Sequence, residues 1–173
     1  MCRNGYSEDM RPKSFAGMNC SVAQTLDVVG ERWSMLIVRD AFLGVTRFDD
    51  FQGRLEISRN TLADRLAELV ERGVFERHAY QDHPVRYDYV LTEKGRDLWP
   101  VMTALRQWGD KWEAPLGPPV IALHRTCGHS LGAGMVCEHC GERLEYGSQR
   151  IVPGPGARPD RPPAPVPVHP DDG

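Results

Sequence analysis

The sequence predicts a mainly α domain that carries one small β-hairpin, followed by a short cysteine-rich module. Three observations predict this. Between residues 20 and 112, apolar side chains recur at the spacing of helix faces. At Val74 the period changes to the alternation of strands, and it returns to a helical period after Thr92. Beyond residue 120, His124, Cys127, Cys137 and Cys140 fall in two tight pairs.

The elements follow in order. Val22, Leu26 and Val29 share one face of a first helix, which Gly30 ends. Trp33, Leu36, Ile37 and Ala41 define a second, ended near Gly44. Thr46 is placed to cap a short third helix, with Phe48, Phe51 and Leu55 pointing inward. Ser58 is the N-cap expected for a helix over 59–72, and its Leu62, Leu66, Leu69 and Val70 repeat at helical spacing before Gly73. Two β-rich runs, 74–80 and 85–91, flank a polar turn at Gln81, Asp82, His83 and Pro84 and read as a hairpin. A last helix carries an apolar stripe of Leu98, Val101, Met102, Leu105, Trp108 and Trp112, with Pro100 marking a kink or a late start.

Composition bounds the rest. The 173 residues carry a net charge of −3, so the chain is not coated in positive charge, though a local basic patch still suffices for nucleic acid. No apolar run approaches the roughly 18–20 residues a membrane crossing requires. The N-terminal stretch has no hydrophobic signal core, so a cytoplasmic protein with reduced cysteines is expected. Residues 1–18 read as a flexible arm, 19–113 as the helical domain, 120–150 as the cysteine-rich module and 151–173 as a disordered Pro-rich tail.

Helices, a hairpin and a closing helix in this order make a winged helix-turn-helix. An α-helix fits the DNA major groove, and its N-terminal side chains reach base edges. The 59–72 helix is the candidate reader, through Ser58, Arg59, Asn60, Thr61 and Arg65. Arg47 and Arg54 are placed to hold phosphates, and His83 and Arg86 lie at the hairpin tip. An amphipathic helix with charges outside is also what any water-exposed helix shows. A protein-docking module that uses the same surfaces is therefore the alternative, and a steep salt dependence of binding separates the two. No phosphate-cradling glycine loop, HExxH or Ser-His-Asp pattern points to an enzyme.

His124-x₂-Cys127 and Cys137-x₂-Cys140 form two knuckles, the spacing that supplies four tetrahedral ligands to zinc, so residues 120–150 read as a zinc-ribbon-like module. His129 and His139 compete for the fourth place. A closed set of four protein ligands suits a structural ion. In so small a segment the ion would supply the folding energy that apolar material does not.

The stretches CSVAQTLDVVGERWSMLIVRD, FDDFQ…ISRNTLADRLAELVERGVFER and PVRYDYVLTEKGRDLWPVM…W together resemble the HxlR-type regulators, which are similar to the MarR type. The resemblance spans residues 20 to 112. It implies a homodimer that binds inverted repeats in double-stranded DNA, joined through its terminal helices. That would assign Leu98, Leu105, Trp108 and Trp112 to a subunit interface, against an intrachain core as the alternative. It also implies that Cys20, near the first helix, is a candidate sensor of electrophiles or oxidants. A thiol at a helix N-terminus meets the positive end of the helix dipole, which favours the reactive thiolate. Ser21 departs from the family, where proline commonly follows that cysteine.

Overall fold

A computed structural model of the chain describes residues 14–15, 17–131 and 136–157. Most of the expected N-terminal arm and the tail from 158 onward lie outside the described residues. Four helices come first: α1 (Ser21–Val29), α2 (Arg32–Phe42), α3 (Phe48–Leu55) and α4 (Arg59–Glu71). An antiparallel hairpin of β1 (Phe75–Asp82) and β2 (Val85–Leu91) follows, then α5 (Glu93–Arg96) and α6 (Trp99–Trp112). A second antiparallel pair, β3 (Val120–His124) and β4 (Gln149–Pro153), belongs to the cysteine-rich module. No helix among the described residues is long and apolar enough to cross a membrane.

Local chemistry sets the element ends. The Glu31 carboxylate accepts from the Trp33 amide at 2.9 Å and caps α2. The Ser58 hydroxyl accepts from the Thr61 amide at 3.1 Å and caps α4, as the sequence predicts. Gly73 follows α4 at φ +71°, a left-handed conformation that glycine adopts without steric cost. Pro100 falls in the first turn of α6, where its missing N–H has no bond to lose, so it marks a late start rather than a kink.

The helical domain packs Ile37 and Val38 of α2, Phe51 of α3 and Leu62, Leu66 and Leu69 of α4 around Val74, Phe75 and Leu91 of the hairpin. Phe51 and Phe75 meet edge-on at 6.5 Å. Asp40 is fully buried and is neutralised by Arg39 and Arg54, whose Nε lies 3.1 Å from its Oδ2.

Four expectations are corrected. On α1 it is Ala23 and Val29 that turn inward, whereas Val22 and Leu26 are exposed. The segment is apolar on more than one side, so periodicity alone does not choose the core face. Arg47, not Thr46, is the N-cap of α3; the Thr46 hydroxyl donates to Asp88 on β2 at 2.8 Å and ties the wing to the helices. The hairpin loop is only His83 and Pro84, since Asp82 pairs with Val85. Finally, the module does not end at 150. Strand β4 runs to Pro153, and the amides of Gly154 and Gly156 bond to the carbonyls of Pro119 and Pro118. A Cβ on Gly154 would sit 2.1 Å from the Pro118 oxygen, so the close approach requires glycine.

The module also docks on the helices. Trp99 of α6 is buried among Ala122, Leu131, Cys137 and Leu144, and the Phe42 ring at the end of α2 meets Tyr146 at 5.5 Å.

Candidate nucleic-acid interface and metal centre

Helix α4 buries Leu62, Leu66 and Leu69 and thereby turns its first residues outward. Ser58, Arg59 and Asn60 are exposed, and Thr61 is half-buried. The Arg59 guanidinium is held from α3, at 3.2 Å from Asp49, 3.0 Å from Gln52 and 4.9 Å over the Phe48 ring. On the wing, Arg86 lies 3.9 Å from the same Asp49, and Arg47 sits 4.7 Å over the Tyr80 ring. Tyr80 is the extra residue where the β1–β2 register shifts. His83 is exposed in the loop. Arg59 and Arg86 thus share Asp49 near the start of α4, while Arg47 ties the start of α3 to the wing through Tyr80 and Asp88.

Two other predicted residues are placed differently. Arg54 points inward to Asp40, and its guanidinium is committed to a buried carboxylate. Arg65 is half-buried and bonds Glu68 at 2.6 Å along α4. Sequence reasoning missed the aromatic partners, Phe48 and Tyr80, and Arg77, which lies 5.0 Å over the Tyr87 ring on the wing. The alternation of basic and aromatic residues in the two strand runs carried that signal.

The last helix leaves Leu105, Trp108 and Trp112 exposed at 52, 59 and 63%, and Val22 and Leu26 of α1 are exposed at 67 and 49%. Leu98 instead packs against the helical core. Cys20, the N-cap of α1, is an exposed free thiol that makes no capping bond.

In the ribbon, the fold brings His124, Cys127, Cys137 and Cys140 together, with all ligand atoms within 4.8 Å of one another. His124 Nδ1 lies 3.4 Å from Cys127 Sγ and 3.4 Å from Cys140 Sγ, and the Cys127 and Cys137 sulfurs are 3.6 Å apart. Zinc at about 2.3 Å from sulfur and 2.0–2.1 Å from nitrogen spaces tetrahedral ligand atoms roughly 3.5–3.8 Å apart, so these three separations are close to the edge lengths of such a tetrahedron. The rival histidines are elsewhere: His129 and His139 stack on each other at 3.3 Å, and His129 Nδ1 lies 2.9 Å from the Cys127 carbonyl oxygen. The Cys140 and His139 amides point at Cys137 and, against the opposing effect of burial, bring its thiol down to about 6. Cys140 is shifted upward: the Glu142 amide lowers it, but burial and the neighbouring Cys137 and Cys127 sulfurs outweigh that pull. Thiolates packed this closely repel one another. A cation at the centre would relieve that repulsion.

The fold and the exposed start of α4 beside a basic wing define a winged helix-turn-helix regulator of transcription. The chain belongs to the HxlR-like helix-turn-helix family, whose model matches residues 28–116. It is 46% identical over 137 residues to the HTH-type transcriptional regulator MT3179 of Mycobacterium tuberculosis, covering 79% of this chain and 87% of that one. Among solved structures it resembles PA1607, described as a transcription factor, with 40% identity, 81% of this chain and 99% of that chain covered, and a TM-score of 0.65. The redox regulator HypR in its oxidised form is 33% identical, and the likeness covers 53% of this chain and 96% of that one at a TM-score of 0.50. The first two likenesses extend past the part that the family's model matches. The chain is a DNA-binding transcriptional regulator.

Proposed function

We propose that the chain acts as a homodimer on inverted-repeat operators, with α4 in the major groove and the β1–β2 wing on the flanking backbone. The observation that carries this reading is the exposed, capped first turn of α4, with Arg59 and Arg86 meeting at Asp49 beside it and Arg47 stacked on the wing. Asn60 and Arg59 have the donors to read adenine and guanine edges, Thr61 a methyl for thymine, and Arg47, Arg86 and His83 suit phosphate or minor-groove contacts. The exposed apolar residues of α1 and α6 support the dimer, because faces of this kind need a cover and a twofold pairing of like helices supplies one. Two reading helices about one DNA turn apart would make the operator palindromic.

The test is selection of fragmented genomic DNA on the purified protein at moderate salt, with its mass measured in solution. A dimer that enriches a few inverted repeats is the expected result. Asn60→Ala should cost about 1–3 kcal/mol of discrimination at a single base pair of each half-site. Uniform retention by a folded dimer would overturn sequence-specific reading.

The four-ligand cluster supports structural zinc, held by His124, Cys127, Cys137 and Cys140; metal analysis of the purified chain should return about one zinc per chain. The likeness to HypR favours a second reading, in which exposed Cys20 responds to oxidants. Cys20→Ser should then weaken the oxidant-dependent release of DNA, and an unaltered response would remove Cys20 from the mechanism.

A further inference from the structure

The cluster lies between the outside of the ribbon and the interior of the protein. Cys140 is exposed and Cys127 half-exposed, whereas Cys137 and His124 are buried, each 1% exposed. Cys137 is at once a ligand and a core residue, packed with Trp99 of α6. The ribbon's own buried apolar material is otherwise only Ala122, Leu131 and Leu144 among the described residues. What holds these four ligands together therefore also holds the cover over Trp99 and the Tyr146–Phe42 contact on α2. Helix α2 packs on the reading helix α4, and α6 carries the exposed apolar face.

We propose that the cluster is a thiol redox site distinct from Cys20, through which a two-electron oxidant such as a peroxide ejects the metal and frees the ribbon from α2 and α6. The inference rests on the zinc reading. In the first step the Cys140 thiolate attacks the peroxide; an S–O bond forms, the O–O bond breaks and hydroxide leaves. In the second, the Cys127 thiolate displaces hydroxide from that sulfur and forms the S–S bond. Two thiolates give up two electrons, and the peroxide ends as two hydroxide ions. The metal loses two of its four ligands and departs as Zn²⁺. The sulfurs, already within 4.8 Å, must close to about 2.05 Å, a movement the exposed knuckle carrying Cys140 can make. With two ligands gone the ribbon loses the ion that folds it, and Trp99 loses its cover.

The experiment uses the full chain carrying Cys2→Ser and Cys20→Ser, which leaves only the three cluster cysteines of the five in the sequence, loaded with zinc and titrated with hydrogen peroxide. Released zinc is read with a chromogenic chelator. Affinity is read on a DNA fragment selected by the reduced protein. About one zinc per chain should be released, a Cys127–Cys140 disulfide should appear in the mass spectrum, and affinity should fall roughly tenfold, within the usual range of coupling between sites. Reductant plus zinc should restore both. Cys140→His in the same background keeps four ligands but removes the exposed thiol, and should hold its zinc and its DNA through the titration. Zinc retained by the parent chain under peroxide, or released with affinity unchanged, overturns this inference alone. A reduced chain that selects DNA but carries no zinc overturns the zinc reading and this inference together. A reduced chain that selects no DNA removes the regulator reading and this inference with it.

Discussion

The helical domain and the ribbon are held together by different means. The first has a core of thirteen buried apolar side chains among the described residues, enough to close around α4 without a metal. The second shares a cluster of five, of which one is borrowed from α6 and another is the ligand Cys137. A hydrophobic interior of the first kind loses stability by increments, one side chain at a time. An interior of the second kind is closer to all-or-none, because Cys137 is both ligand and core residue and loss of the metal opens the core with it.

Metal removal should expose this contrast most sharply. Apparent zinc-binding energies of small zinc modules are about 10–16 kcal/mol, and in such modules binding energy is folding energy. A strong chelator should therefore abolish hydrogen-exchange protection over β3 and β4 while leaving that of α4 and β1 in place. Simultaneous loss in both regions would show that the helical domain cannot stand without the ribbon. Cys137→Ala should reproduce the chelator's effect, since it removes a ligand and a core contact together.

The next largest effect probes the polar centre of the helical domain. Arg54→Ala leaves the buried Asp40 carboxylate with only Arg39, whose own side chain is 44% exposed. Breaking a buried pair in this way costs about 3–5 kcal/mol, and the surviving Arg39 pair keeps the expected loss near the lower figure. Denaturant unfolding reads it. If Arg54 held a phosphate instead, stability would stay constant and the salt dependence of DNA binding would become shallower by about one contact.

The same comparison explains what the sequence could and could not disclose. The α4 face was legible because Leu62, Leu66 and Leu69 follow a single helical period with polar residues between them. The zinc ligands were legible because knuckle spacing is set by local turns. The choice among His124, His129 and His139 was not, since it depends on which imidazole β3 carries inward. The destination of Arg54 was hidden for a similar reason: its partner lies fourteen residues earlier on another helix. On α1 the sequence offered more than one apolar side, and only tertiary packing selects Ala23 over Val22. Strand β4 was obscured by the proline-rich composition that begins at its end.

A smaller effect is expected outside the ligand set. Glu142 Oε2 lies 3.6 Å from His124 Nε2, on the ring edge opposite the sulfurs, where a carboxylate orients a ligating imidazole. Glu142→Gln should lower zinc affinity about tenfold, the weaker end of such effects because the contact is longer than a direct hydrogen bond. Competition with a chelator of known affinity measures it. No change in affinity would leave Glu142 as a surface carboxylate without influence on the metal.

The smallest expected change in stability lies at Ser58, where fold and function compete for one side chain. Its hydroxyl caps α4 through the Thr61 amide and lies 2.8 Å from the Thr61 hydroxyl, at the end of the helix proposed to face DNA. Ser58→Ala removes the cap and should cost about 1 kcal/mol of stability. Ser58→Asp keeps a capping acceptor and adds negative charge at the positive end of the helix, so stability should stay within about 0.5 kcal/mol of the parent. That same charge would meet phosphate. Affinity for the selected DNA should therefore fall while the thermal transition stays in place. A chain whose DNA binding tolerates Ser58→Asp would not present this end of α4 to the groove, and the assignment of the reading helix would have to move.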